Sequence, residues 1–249
     1  MSDVEIPPPQ RRHLLRQIFE WIGGHELSVL VSLLLIALGI LAFVALADEV
    51  LEGSTPKFDE WAIRVLRQPD DLAKPIGPPW LAEAARDTTA LGGVLFLSLL
   101  TATVAGFLWL RKMYGAMALV IAATLGGLSV SSILKQVFDR PRPNLVPHLS
   151  HVASSSFPSG HSMLSAVVFL TLGVLLARFV EERKLKAYFL LIALVLTTLV
   201  GVSRVFLGVH YPTDVLAGWC AGMAWALSCW FVARILQKRG AVEAEPLSG

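Results

Sequence analysis

The chain has 249 residues, of which 55% are hydrophobic and only 16% are charged, and its mean hydropathy is +0.63. A soluble domain of this length needs more charge on its surface, so the composition argues against a soluble protein. The net charge of +2, spread without a long basic run, gives no indication of nucleic-acid binding. This composition is typical of a protein that lies in a lipid bilayer.

Apolar runs divide the chain into candidate membrane helices, because a helix needs about 20 apolar residues to cross roughly 30 Å of hydrocarbon. Six such runs cover residues 27–47, 90–110, 114–133, 161–180, 187–206 and 214–236. The sequence therefore predicts an all-α fold, a polytopic membrane protein with a six-transmembrane-helix bundle that spans residues 27–236. The ends of the chain, 1–10 and 240–249, have the composition of disordered tails.

The orientation in the membrane follows from the distribution of lysine and arginine, which favour cytoplasmic loops. With both termini in the cytoplasm, 12 of the 21 basic residues lie inside. Four of the nine basic residues on the outer side lie in motifs that can require positive charge for a reason other than topology. The bias favours a cytoplasmic N-terminal segment at 1–26 and a cytoplasmic tail at 237–249.

The long extramembrane segment, residues 48–89, contains two runs with apolar residues at helical spacing. These runs predict short amphipathic helices at 58–66 and 80–88, which include Trp61 and Trp80. Apolar faces with tryptophan indicate a segment that lies in the membrane interface. A cap packed on the helix bundle fits the same pattern, and the sequence does not separate the two.

Ionisable and phosphate-binding residue types gather in three clusters at helix ends, all on the predicted outer side. The clusters are Lys135, Arg140 and Arg142; Ser159, Gly160 and His161; and Arg204, His210 and Asp214. Arginine forks and lysine bind phosphate oxygens, and a helix N-terminus offers free N–H groups to an anion. Snorkelling to lipid headgroups or helix capping would explain any single residue, but not three clusters on one face. The pattern predicts an anion site.

Two histidines turn anion binding into a candidate for catalysis. Asp214 follows His210 by four residues, so its carboxylate can hold the imidazole in one tautomer and leave the far nitrogen free to attack phosphorus. His161, at another helix start, could protonate the leaving oxygen. This indicates a two-step phosphoryl transfer through a phosphohistidine. The other four histidines, His13, His25, His148 and His151, are interpreted as structural.

Metal-ligand spacing of His, Cys and carboxylate residues is missing from the sequence, so we expect neither a metal nor another cofactor. In phosphoryl transfer, positioning and charge stabilisation matter most, and the basic residues can take the part that Mg²⁺ takes in other enzymes.

The three clusters are recognisable when written as motifs. Lys135-x6-Arg142-Pro143, Pro158-Ser159-Gly160-His161 and Ser203-Arg204-x5-His210-x3-Asp214 together resemble the three-part signature of the type 2 phosphatidic acid phosphatase superfamily. The resemblance implies that His210 is the nucleophile, Asp214 its orienting partner and His161 the general acid. It implies that the phosphate ligands are Lys135, Arg142, Ser159, Gly160 and Arg204. Arg140 lies outside the signature, and its role stays open.

The superfamily includes bacterial phosphatidylglycerophosphate and undecaprenyl pyrophosphate phosphatases, glucose-6-phosphatase and the vanadium haloperoxidases. The resemblance implies a lipid phosphatase of the bacterial inner membrane. The distribution of basic residues places its site on the side of the periplasm or outside. Its expected partners are membrane lipids and a lipid phosphate substrate, namely phosphatidylglycerophosphate, undecaprenyl pyrophosphate or phosphatidic acid, without nucleic acid. The oligomeric state is not indicated.

Three other functions fit part of the pattern. A lipid phosphotransferase would pass the phosphoryl group from a lipid pyrophosphate to another lipid, and the sequence does not separate it from a hydrolase. A haloperoxidase would bind vanadate at the same residues, but six membrane helices argue against it. A binder or transporter of lipid phosphates would not need His161, His210 and Asp214 together.

Overall fold

The computed structural model of the protein describes residues 27–150 and 155–238. Within them the elements are α1 (Leu27–Leu51), α2 (Pro56–Val65), β1 (Arg67–Gln68), β2 (Asp71–Pro75), α3 (Pro79–Ala90), α4 (Val94–Leu110), α5 (Tyr114–Phe138), α6 (Gly160–Arg178), α7 (Arg183–Phe206) and α8 (Pro212–Lys238). The all-α fold is confirmed, with one short β-ribbon added. The predictions for residues 1–26, for the tail from 239 onward and for His151 concern residues outside the described part.

Five of the described helices, α1, α5, α6, α7 and α8, are long and apolar enough to cross a membrane. A sixth candidate is the pair α3 and α4, which is bent by 47° at its break. The predicted second helix at 90–110 therefore begins later, at Val94, and continues a bent path from α3. Gly92 allows this bend to lie against α7, because a Cβ there would overlap a methyl group of Val200.

Helix α6 is the centre of the bundle and packs against α4, α5, α7 and α8. Helix α6, which carries Gly160 and His161, and helix α8, which carries Asp214, approach closely at their N-terminal ends. A Cβ on Gly218 would lie 2.7 Å from the carbonyl oxygen of Ser159, so only glycine allows this separation. The first turns of α6 and α8 are thereby held side by side.

Large apolar side chains remain exposed on the outer faces of the long helices, among them Leu34, Leu41, Leu95 and Leu110. A helix that is apolar on its exposed side as well as its buried side is typical of a membrane span. The structure thus agrees with the composition in describing a multi-pass membrane protein.

Helices α2 and α3 of segment 48–89 form as predicted, and the antiparallel ribbon β1–β2 lies between them. The ribbon is too short to show an alternating pattern in the sequence. Helix α2 turns two fully buried side chains, Asp59 and Ile63, towards the rest of the protein. Its large apolar residues Phe58, Trp61 and Val65 stay exposed, and Trp61 keeps 60% of its surface accessible. The helix therefore packs as a cap and also presents an unpartnered apolar face.

Candidate active site

The three predicted clusters meet where α5 ends, where α6 begins and where α7 connects to α8. Four of their residues are almost fully buried: Ser159, Arg204, His210 and Asp214. Lys135, Arg142 and His161 are partly buried. Such burial of charged side chains is costly unless each one has partners, and the contacts around them account for most of their polar atoms.

His210 lies between a carboxylate and a guanidinium. Its Nδ1 is 3.4 Å from Oδ2 of Asp214, and its Nε2 is 3.0 Å from Nη1 of Arg142. Because arginine can only donate, Nε2 accepts this hydrogen bond and the ring proton lies on Nδ1, facing the carboxylate. Burial lowers the pKa of the His210 imidazole, although Asp214 opposes the shift. The ring is therefore neutral at neutral pH, with its Nε2 lone pair on the side of Arg142.

The Asp214 carboxylate is held on both oxygens. Oδ2 accepts hydrogen bonds from the hydroxyl of Ser156 and from the backbone N–H of Tyr211, the latter at 2.9 Å. Oδ1 accepts a 2.6 Å bond from Nη1 of Arg140. The Asp214 backbone takes part too, since its carbonyl oxygen accepts from the N–H of Ser159 at 2.9 Å. The carboxylate is thus fixed in one orientation beside the imidazole.

Lys135 and Arg142 are brought together by the backbone of Ser155. Its carbonyl oxygen accepts from Nζ of Lys135 at 2.8 Å and from Nη2 of Arg142 at 3.4 Å. Arg142 also donates to the carbonyl oxygen of Val209 at 2.7 Å, immediately before His210. Burial lowers the pKa of Arg142, against the opposing effect of Asp214. The acceptors in these contacts are neutral carbonyl oxygens.

Arg204 reaches the same region from the last turn of α7. Its Nη1 donates to Oγ1 of Thr89 at 3.0 Å, and its Nε has no hydrogen-bond partner among the described residues. Only 2% of Arg204 is exposed. A buried guanidinium with an unused N–H is suited to an anionic ligand.

The start of α6 supplies a capped helix N-terminus. Ser159 Oγ accepts from the N–H of Ser162 at 3.4 Å and from its hydroxyl at 2.9 Å, so that its own proton can still be donated. A Cβ on Gly160 would lie 3.2 Å from Cε of Lys135, which shows how closely the lysine crosses this turn. The N–H groups of the first turn and the helix dipole add to the positive potential of the lysine.

His161, in the first turn of α6, lies beside the bend between α3 and α4. A Cβ on Gly93, at the bend between α3 and α4, would lie 4.0 Å from its Nε2. The ring is within electrostatic reach of Arg204, His210 and Lys135. All eight residues predicted from the motifs are therefore gathered at one end of the bundle, with His161 on α6 and His210 in the connection between α7 and α8.

Several residues of this region were not predicted to belong to it: Asp59, Thr89, Ser155, Ser156 and Thr213. Ser155 and Ser156 stand directly before the Phe-Pro-Ser-Gly-His run, which is the one hint that the sequence offers. Asp59 and Thr89 lie far away in the chain and reach the site only through tertiary packing. No three His, Cys, Asp or Glu side chains group as metal ligands within residues 27–150 and 155–238.

Comparison with known proteins gives a family. The family model described as PAP2 superfamily matches residues 114–239, half of the chain. Phosphatidylglycerophosphatase B of Bacillus subtilis (strain 168) is 38% identical over 152 residues, which are 59% of this chain and 73% of the relative. Undecaprenyl-diphosphatase BcrC of the same strain is 32% identical over 97 residues, 37% of this chain and 45% of the relative.

A solved structure is similar over most of the chain. The crystal structure of a transmembrane PAP2 type phosphatidylglycerolphosphate phosphatase from Bacillus subtilis matches with a TM-score of 0.71 and 30% sequence identity. The match covers 82% of this chain and 96% of that one, so it includes the bundle and not the signature alone. Because the family model matches half of the chain and this structure is similar over 82% of it, the chain belongs to the PAP2 superfamily.

Proposed function

We propose that this protein is a membrane lipid phosphatase that hydrolyses a phosphate monoester or a pyrophosphate of a lipid through a phosphohistidine intermediate. One observation carries the proposal: His210 directs Nε2 at Arg142, while its Nδ1 faces Asp214. The lone pair of Nε2 thus points towards the guanidinium of Arg142, which is suited to hold a phosphate oxygen.

In the first step the phosphate is bound by the cations and the α6 N-terminus, and Arg142 exchanges its contact with Nε2 for phosphate oxygens. Nε2 of His210 attacks phosphorus, the bond from phosphorus to the leaving oxygen breaks, and His161 gives that oxygen a proton. Asp214 stabilises the positive charge that the imidazole gains on attack.

In the second step a water molecule attacks the phosphohistidine. His161 now takes a proton from the water, the bond from Nε2 to phosphorus breaks, and inorganic phosphate leaves. The net reaction consumes one water and yields the dephosphorylated lipid. Lys135, Arg142 and Arg204 neutralise the equatorial oxygens in both steps, so we infer that the reaction needs no metal ion.

The substrate that we propose is an anionic membrane lipid: phosphatidylglycerophosphate, undecaprenyl pyrophosphate or phosphatidic acid. The names of the two relatives support the first two of these. The site lies at the membrane surface opposite to the C-terminal end of α8, which corresponds to the periplasmic face of a bacterial inner membrane if both termini are cytoplasmic.

The test is phosphate release by purified protein in detergent with EDTA, across a panel of lipid phosphates and pyrophosphates. His210→Ala is the critical variant. His148→Ala is its matched control, because His148 is partly exposed. Among the described residues, its ring forms a hydrogen bond only with the carbonyl oxygen of Pro143, at 2.6 Å. Turnover in EDTA that disappears with His210→Ala and persists with His148→Ala is the expected result.

Two outcomes would overturn the proposal. Turnover that His210→Ala leaves unchanged would remove the nucleophile, and turnover that EDTA abolishes would remove the metal-free mechanism. Adding a second lipid as acceptor distinguishes hydrolysis from phosphotransfer. A phosphotransferase would transfer the phosphoryl group to this lipid and release little inorganic phosphate.

A further inference from the structure

Arg140 joins the extramembrane helix α2 to the carboxylate beside His210. Its Nη1 donates to Oδ1 of Asp214 at 2.6 Å and to Oγ1 of Thr213 at 2.9 Å. Its Nη2 donates to Oδ2 of Asp59 at 2.8 Å and to Oγ1 of Thr55 at 3.0 Å. One planar guanidinium thus bridges two carboxylates that are far apart in the chain.

Asp59 binds the start of α8 as well as the arginine. Its Oδ1 accepts from the N–H of Thr213 at 3.2 Å and its Oδ2 from the hydroxyl of Thr213 at 2.7 Å. The side chain of Asp59 is 0% exposed, and that of Arg140 is 13% exposed. A carboxylate so deeply buried is strongly unfavourable without partners, so α2 can dock only where these contacts form.

The charges of the group are complementary. Burial alone would lower the pKa of Arg140. The carboxylates of Asp214 and Asp59 have the larger, opposite effect, so the pKa of Arg140 is raised above its ordinary value. The ring of Tyr211 lies 4.4 Å from Cζ of Arg140 and covers one face of the guanidinium. The arginine is therefore charged and fixed in its plane, with one nitrogen for each carboxylate.

The two oxygens of Asp214 have separate tasks. Oδ2 lies 3.4 Å from Nδ1 of His210, whereas Oδ1 is taken by Arg140. If Oδ1 lost its partner, the carboxylate could rotate and would carry more uncompensated negative charge beside the imidazole. Both the orientation and the basicity of His210 would change.

We propose that Asp59 and Arg140 are positioning residues for the reaction, which set the orientation of Asp214 and the proton affinity of His210. This rests on the proposed function of His210 as nucleophile. It assigns a task to Arg140, which the three-part signature leaves without one, and it makes α2 a structural part of the active site.

The proposal predicts pH shifts of opposite sign. Arg140→Gln removes a positive charge near the Asp214–His210 pair and should raise the pKa of His210. Asp59→Asn removes a negative charge that competes for Arg140, so it should lower the pKa of His210. A protonated nucleophile is inactive, so the acid limb of kcat should move to higher pH in Arg140→Gln and to lower pH in Asp59→Asn.

The substitutions of Arg140 are expected to change kcat more than KM. Arg140→Gln should lower kcat by about 10- to 100-fold, as loss of an outer hydrogen-bond partner often does, and change KM little. Arg140→Lys keeps the charge without the fork, so it should lose kcat with a smaller pH shift. Arg64→Gln is the matched control, because Arg64 lies on α2, the helix of Asp59, and its pair with Glu60 at 3.8 Å is solvent-exposed.

A measurement without turnover separates this inference from the proposed function. Protein with ¹⁵N-labelled histidine gives imidazole signals whose shifts report tautomer and pKa, and His210→Asn identifies the signal of His210. The expected results are a proton on Nδ1 in the wild type and titration shifts of opposite sign in the two variants. If the wild type hydrolyses no lipid phosphate, the proposed function fails while these spectra still test the positioning contacts.

Size-exclusion chromatography of each variant shows whether it is folded, and only folded variants are compared. If Arg140→Gln does not fold, Arg140→Lys and Asp59→Asn carry the test. Folded variants with wild-type kcat and wild-type His210 titration would overturn the proposal. So would shifts of the same sign in Arg140→Gln and Asp59→Asn, or a change confined to KM, which would indicate a purely structural or substrate-binding part for these residues.

Discussion

Nη1 of Arg142 lies 3.0 Å from Nε2 of His210, so the arginine donates to the nitrogen that we propose as nucleophile. A phosphate that binds between them gives Arg142 a stronger, charged acceptor and frees the lone pair of Nε2. We therefore propose that the arginine holds this tautomer of His210 before substrate binds and binds the phosphate afterwards.

Replacing Arg142 with lysine should separate these two tasks. Lysine keeps the charge but loses the planar fork, so that it cannot hold the carbonyl of Val209 and a phosphate oxygen in the same geometry. We expect kcat/KM to fall by about 10- to 100-fold, with a rise in KM, measured as phosphate release from the best lipid substrate. The exposed Arg64→Lys should behave as wild type, and an equal loss there would point to a general effect of the substitution.

The pH dependence of the wild type follows from the burial of His210. Since burial lowers the pKa of this imidazole, the ring stays neutral as the pH falls through the ordinary histidine value of about 6.5. The nucleophile is therefore lost only at lower pH, and the acid limb of kcat/KM should lie below 6.5. The measurement is a pH–rate profile corrected for the second ionisation of the substrate phosphate, near 6. An acid limb above 6.5 after this correction would contradict the expectation.

Gly160→Ala should weaken phosphate binding without unfolding the protein. The new Cβ would lie 3.2 Å from Cε of Lys135 and 3.3 Å from Oγ of Ser131, so the flexible lysine has to move. We expect KM to rise by several-fold to about tenfold, because the Lys135 charge would be displaced by a few tenths of an ångström or more. Gly106→Ala is the control, since a Cβ there would meet no atom within 4 Å from other elements of the described part of the chain. Equal KM values for both variants would show that Lys135 tolerates the displacement.

The exposed apolar face of α2 leads to a prediction about lipid access. Trp61 and Phe58 lie on the surface of a helix whose other side is buried, which fits a helix resting in the membrane interface. Phe58→Ser with Trp61→Ser should lower activity on long-chain lipid phosphates in vesicles and leave activity on a short-chain soluble analogue unchanged.

The matched control for this double variant is Trp109→Ser, a tryptophan that is 58% exposed at the far end of α4. Its lipid preference should equal that of the wild type. If the double variant also keeps its preference for long chains, then α2 serves as a cap on the bundle and has no part in lipid access.

Much of the architecture could be predicted from the sequence, because a membrane span requires a long apolar run and such runs are visible without a structure. The site could be predicted for a related reason. Charged residues are unfavourable at membrane depth, so Lys135, Arg142, Arg204 and His210 stand out at helix ends, and a helix bundle brings those ends together. The resemblance to the family signature adds the roles that we propose for them.

The tertiary structure decided what the periodicity of the sequence does not encode. The bend before Val94 and the ribbon β1–β2 are too short or too irregular to leave a pattern. Asp59 reads in the sequence as one more polar residue of an amphipathic helix, yet it is fully buried against Arg140, 81 residues further along the chain. Whether a carboxylate faces solvent or an active site depends on which partners packing brings to it, and local sequence does not contain that information.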